Sequence, residues 1–165
     1  MFGRLASTED ISEPRRTLIT LADLIATLSS ALFTGASIYI NLVEHPARMQ
    51  AGTRVALAEF APSYKRATVT QVSLAVAGFL SALAAWRSRS DAGWLIGGVM
   101  LLSVIPFTAL AILPTNKQLL DPETANDPEL AEKLLTRWGR LHAVRSVSSL
   151  ASLLMFLFLL AKDRD

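Results

Sequence analysis

Apolar residues in this chain gather into long runs separated by polar stretches that carry prolines and charges. The runs cover 18–43, 68–86, 92–113 and 143–161. Each is roughly 19–26 residues long, and about 20 apolar residues in a helix cross the hydrocarbon core of a bilayer. They are rich in Leu and Ala and lack two-residue alternation, which predicts helices rather than strands. An open sheet would also leave backbone groups unsatisfied in lipid. The ends of the runs are marked by Pro14-Arg15-Arg16, Glu44-His45-Pro46, Arg87–Asp91, Pro114-Thr115-Asn116 and Lys162–Asp165. The pattern predicts an all-α, multi-pass integral membrane four-helix bundle, a single domain over 1–165.

Four spans put both termini on one side, with the short 87–91 connection. The longer connections, 44–67 and 114–142, share the other side. Within 44–67, the mixed stretch Val55–Lys65 reads as a short interfacial helix broken near Pro62. In 114–142, Asp127 is placed to cap an amphipathic helix that starts at Pro128 and runs into the fourth span. This topology brings Glu44, His45, Asn116 and His142 to one membrane surface from distant parts of the chain. Orientation across the bilayer is undecided. The terminal side carries seven basic residues (Arg4, Arg15, Arg16, Arg87, Arg89, Lys162, Arg164), and the other side eight, or nine with Arg145.

Composition narrows the picture. Of 165 residues, 52% are hydrophobic and 18% charged, with a mean hydropathy of +0.39. A soluble doubly wound enzyme and a disordered tail are excluded. The chain has no Cys, which removes disulfide scaffolds, thiolate metal sites and Cys nucleophiles. Its net charge of +2 and its merely paired basic residues, Arg15-Arg16 and Lys65-Arg66, do not make a nucleic-acid surface. The first run follows Glu9, Asp10 and Glu13 and is longer than a signal-peptide core, so it reads as a retained span. There is no glycine-rich phosphate loop to seat a nucleotide cofactor. Small residues such as Ser29, Ser30, Gly78, Gly97 and Gly98 suit close helix packing.

Three constellations carry candidate chemistry. Glu44-His45-Pro46, just after Asn41, reads either as an interfacial stop or as a base at the mouth of a bundle cavity, since histidine exchanges protons near neutrality. Trp138, His142, Arg145, Ser149 and Ser152 form one helical stripe that continues below the membrane edge. Polar side chains there normally face the bundle interior. The stripe reads either as Arg145 snorkelling with serines bonded to backbone, or as a wet pocket with a cation and a histidine facing a ligand. Pro114-Thr115-Asn116-Lys117 reads as a helix-ending turn, or as the source of an orienting amide at Asn116. Asp23, near the terminal side of the first span, reads as an interfacial residue or as one bonded to a nearby polar group. Two His and a Glu match a non-haem iron ligand set. Against a metal, the Glu-x-x-His pairs of bundle di-iron proteins are missing, and Glu44 and His45 leave a helix in divergent directions. No metal is expected, although one held by His45, His142 and Glu44 is left open.

In order along the chain, Gly35…Tyr39-Ile40-Asn41…Glu44-His45-Pro46-Ala47-Arg48, then Pro114-Thr115-Asn116-Lys117, then Trp138…Leu141-His142…Arg145 resembles the anthrone oxygenase family of small four-helix membrane proteins, over about residues 17–160. The resemblance implies a monooxygenase that converts an anthrone-type aromatic polyketide to an anthraquinone with O₂ as co-substrate and no other cofactor. It implies His45 or His142 as base, with Glu44 orienting a histidine and Arg145 and Asn116 at the enolate oxygen. Trp138, Asn41 and Arg48 would lie on the substrate side. The implied partners are a hydrophobic aromatic substrate and the bilayer, with homo-oligomerisation left open. The alternatives are a non-catalytic membrane scaffold or chaperone, a small transporter or channel, and an oxygenase of another phenolic substrate.

Overall fold

A computed structural model describes residues 13–162. Arg4, Glu9, Asp10 and Asp163–Asp165 lie outside them, as do the side chains of residues 13–20. Helix α1 spans Glu13–Tyr39 and passes through a π-helical turn, Ile40–Glu44, into α2, His45–Gln50. Helix α3 is Thr53–Arg89, α4 Ala92–Leu102, and α5 Val104–Phe107. A second π-helical turn, Thr108–Ile112, leads into α6, Leu113–Leu119. A short 3₁₀ turn, Pro122–Asn126, precedes α7, Pro128–Lys162. Four of these helical stretches, Leu21–Gln50, Thr53–Arg89, Ala92–Leu119 and Pro128–Lys162, are long and apolar enough to cross a membrane. The fold is an all-α four-helix bundle, with no strand among the described residues.

The helices run further than the apolar runs suggested. Residues 44–67 are not a loop. The first helix continues to Gln50, and Gly52, at φ +89°, turns the chain into α3. A left-handed backbone of this kind favours glycine. Helix α3 then passes unbroken through Pro62, so the expected break there does not occur. A proline inside a helix removes one hydrogen bond and crowds the carbonyl four residues back, at a cost of about 3 kcal/mol. Here Phe60 and Ala56, two and six residues before it, are buried in a cluster with Ile40, Ile112, Leu135 and Trp138, which offsets that cost. Pro46 and Pro114 likewise fail to end their helices. Each follows a π-helical turn by two residues. The carbonyls they would crowd belong to Leu42 and Leu110, the middle residues of those turns, and widening to the π spacing makes room for the ring. Only at Pro106 does the helix give way, at Ser103, between α4 and α5.

Asp127 caps α7 as its sequence predicts, accepting from Leu130 N at 3.0 Å. Amphipathic stretch and fourth span are one helix of 35 residues. Asp91 caps α4 through Gly93 N at 2.9 Å and accepts from Lys162 Nζ at 3.0 Å. The Gly93 amide first, and Lys162 second, hold its carboxyl below the usual aspartate range. That contribution to stability is present at neutral pH and lost as pH falls through the lowered value.

The core stacks in layers along the bundle. At the end formed by Asp23, Arg89, Asp91 and Lys162, here the tail, Trp94 stacks on Phe156 with ring centres 5.3 Å apart. Gly97 gives Phe156 its space, and Gly98 meets Ala82. Asp23 is 1% exposed and ion-paired with Arg89, so it bonds across the tail. Ser152 Oγ donates to Gly97 O at 2.7 Å and accepts from Ser30 at 3.3 Å, linking α1, α4 and α7. Interhelical bonds of this kind contribute about 0.6 kcal/mol each in membranes, where packing rather than water expulsion holds helices together. A middle layer of Phe33, Ala75, Leu101 and Val104 follows. The Trp138 cluster closes the head.

Gly98→Ala should lower the melting temperature of the purified protein in detergent, by about 1–3 kcal/mol of stability. Its new Cβ would stand 2.8 Å from the Ala82 Cβ, which cannot swing aside. Gly35→Ala, with nothing within 4 Å, should leave it unchanged or raise it. Equal melting of the two variants would contradict the packing described.

Candidate active site

The head of the bundle gathers polar side chains from all four spans. The first π-helical turn carries Asn41 against α7. Asn41 Nδ2 donates to Gly139 O at 3.1 Å, and its Oδ1 accepts from Ser146 Oγ at 2.6 Å and lies 2.8 Å from His142 Nδ1. The reverse amide orientation would set Oδ1 against the Gly139 carbonyl, so the network selects this one. A carbonyl oxygen only accepts. The neutral His142 ring therefore carries its proton on Nδ1, and its Nε2 keeps a lone pair.

Trp138 stacks on His142 with ring centres 4.8 Å apart and planes 26° apart. His45 lies tilted against the same indole at 5.4 Å, and Phe60 meets it edge-on at 5.5 Å. The guanidinium of Arg48 lies 5.7 Å from its centre. Trp138 is 7% exposed and, with these neighbours around it, also lines the chamber that His142 borders. Gly139 is required here because any Cβ would strike the His45 ring. The two histidines thus sit in different places. His142 lines a small chamber of about 30 Å³ together with Glu44, Arg48, Gln71, Asn116 and Arg145. His45 packs on Gly139 and Trp138, with Nδ1 buried and unpartnered.

Of the two guanidiniums lining this chamber, Arg48 is paired with carboxylates and Arg145 is not. Arg145 Nη2 donates to Gln71 Oε1 at 2.5 Å, its guanidinium lies 5.5 Å from the Phe33 ring centre, and its Nε is buried without a partner. No carboxylate pairs with it among the described residues. Asn116 is 1% exposed, with Oδ1 unpartnered. Glu44 does not reach a histidine. It accepts from Arg48 Nη2 at 2.5 Å and Ser63 Oγ at 3.1 Å, and Arg48 also pairs with Glu59. Glu44 and His45, adjacent in a helix, point about 100° apart. Among the described residues no three or more His, Asp or Glu side chains converge as metal ligands.

The whole stripe 138, 142, 145, 149, 152 faces inward, as read from its spacing, and within it Ser149 and Ser152 bond to backbone carbonyls of Ser146 and Gly97. Gln71, Tyr64 and Ser146 were not anticipated. Gln71 is a lone amide inside an apolar run, and that isolation is the signal that marks it. A second, larger cavity of about 200 Å³ adjoins the chamber and shares Tyr64, Thr68, Gln71 and Arg145 with it.

A family model described as anthrone oxygenase matches residues 60–155, which hold Gln71, Asn116, Trp138, His142 and Arg145. The chain belongs to the anthrone oxygenase family. This membership makes the protein an oxidoreductase, an oxygenase. It is 28% identical to anthrone oxygenase tpcL of Aspergillus fumigatus, over 81% of this chain and 89% of that one. It is also 28% identical to anthrone oxygenase dmxR16 of a Cryptosporiopsis species, over 87% and 85%, and to an anthrone oxygenase of Claviceps purpurea, over 78% and 79%. No solved structure is a significant match to this oxygenase.

Histidine ¹⁵N spectra of this family member should show His142 as the Nδ1–H tautomer. Asn41→Leu, which removes the acceptor, should populate the Nε2–H form. An unchanged spectrum would mean that Asn41 does not set the tautomer.

Proposed function

We propose that the protein oxidises the ring methylene of an anthrone-like aromatic to a carbonyl with O₂, using His142 as base and Arg145 as the stabilising cation. The observation that carries this reading is a membrane-level guanidinium with no carboxylate partner among the described residues, lining the same chamber as a histidine that holds a free lone pair. A cation left unpaired in a poorly solvated site favours an anion that arises during reaction.

The chemistry follows from the substrate. His142 Nε2 removes a methylene proton, and the electron pair spreads to the ring oxygen as an enolate. Arg145 holds that oxygen, and the Asn116 amide supplies a further polar contact. The electron-rich enolate passes one electron to O₂, and the two radicals join through a new carbon–oxygen bond. The peroxide takes the proton back from His142. Loss of the second C–H proton then breaks the O–O bond, forming the carbonyl and releasing hydroxide, which leaves as water. Methylene and O₂ become carbonyl and water with no electron left over, so the route calls for no further reductant or cofactor. In the small chamber about 30 Å³ is open, room for one or two water-sized molecules such as O₂. Asn41 acts through His142 as a positioning residue, and Glu44 and Arg48 support the wall. In the membrane, both termini lie on one side and the chamber beneath the other.

Oxygen uptake by membranes supplied with emodin anthrone tests the proposal above the autoxidation blank. His142→Ala should lower kcat by about 10²–10⁴-fold, and Arg145→Gln by about 10²–10³-fold. His45→Ala should have the smaller effect of the two histidine variants, and a chelator should have none. Wild-type turnover by the folded His142→Ala protein would sink the mechanism, and a chelator-sensitive rate would replace it with a metal-dependent one.

A further inference from the structure

The proposed reaction leaves the larger cavity without a role. About 200 Å³ is open there, against about 30 Å³ in the inner chamber. A flat multi-ring body does not fit the inner chamber, so only its reacting edge enters. The larger cavity lies between α3 and the segment 104–113, beside the interruption at Ser103. Its floor is buried, formed by Phe33, Gln71 and Val104, while Thr68, Val72 and Ala109 on its rim are exposed. That rim opens on the flank of the bundle. The neighbouring side chains Val69, Val76 and Leu110 are 68%, 39% and 81% exposed, an apolar surface of the kind a spanning helix presents to acyl chains. Its walls are mostly apolar, and the hydroxyls of Thr68 and Thr108 are taken by the backbone carbonyls of Tyr64 and Val104. At the deep end stands Arg145, held by Gln71 through Nη2 and without a carboxylate partner among the described residues.

We infer that this cavity is the binding site for the body of a flat aromatic that enters sideways from the bilayer, with a ring-borne anionic oxygen held by the guanidinium of Arg145. The inference rests on the proposed function and adds the route and the seat of the substrate. Two features select this occupant over a lipid tail. An acyl chain has no group for the guanidinium, and a soluble anion would not cross the apolar rim. Thr108 and Ala109, in the second π-helical turn, form one wall, so side-chain size there limits the ring system admitted.

Ala109→Trp and Val72→Trp fill the mouth from opposite sides. Both positions are exposed, so the bundle tolerates them. Val147→Trp, on an exposed face of α7 that lines neither cavity, is the control. Each protein is placed in lipid nanodiscs with its melting temperature verified. Binding of emodin is followed by tryptophan quenching, and turnover of its anthrone by oxygen uptake. Both mouth variants should weaken emodin binding by about tenfold or more and raise KM with kcat unchanged, and the control should match wild type. Wild-type binding and KM in both folded mouth variants would overturn the inference while leaving the reaction intact. Mouth-dependent emodin binding without turnover of the anthrone in any protein would uphold the cavity and overturn the reaction. An absence of emodin binding to wild type would overturn the cavity.

Discussion

One amide joins the head of the bundle. Asn41 spends its whole side chain on α7, donating to Gly139 O and accepting from Ser146 and His142. Every partner lies within two turns of one helix, so the first span is held in register with the fourth, and the imidazole is locked in one tautomer by the same contact. The rest of the site is arranged around that fixed ring: Trp138 stacks on it, Phe60 and His45 brace the indole, and Gly139 leaves the room that His45 occupies. In a medium where unpaired polar groups are expensive, an amide with all its near partners supplied gives both stability and orientation.

The backbone that delivers Asn41 is itself a product of proline. Two prolines, Pro46 and Pro114, each follow a π-helical turn, and these turns carry Asn41 and Glu44 in one helix and Thr108 in the other. An extra residue per turn rotates everything beyond it. The same adjustment that spares the proline ring a clash therefore also sets which face of α2 and α6 meets α7. Asn116 and Arg48 are both buried in consequence of that rotation.

The spans and their number were legible because bilayer thickness sets a length that composition alone reveals. Their ends were not. Pro46, Pro62 and Pro114 all look like terminators, yet a lost hydrogen bond is a local cost, and packing of Phe60, Ile112 and Trp138 outweighs it. His142 and Arg145 were legible as polar residues at helical spacing in an apolar run. The role of Asn41 was not, since nothing in its neighbours in the chain points to residues about a hundred positions away. The divergence of Glu44 from His45 was legible from helical geometry, and of the partners it takes instead, Arg48 is one turn on while Ser63 lies in the next helix. Gln71 carried a readable signal, an isolated amide at membrane depth, and its partner Arg145 lies 74 residues further on.

The contrast between the two ends has a mechanical side. At the tail, Gly97 and Gly98 bring α4 against Phe156 and Ala82 with no slack, and Ser152 pins the contact. His142 lies ten residues up the same helix, about 15 Å away at the usual rise per residue. Volume added at the glycine layer therefore has nowhere to go and must push α4 away from its neighbours, whereas the open space of about 30 and 200 Å³ on the His142 side can take up a bound group without parting the spans.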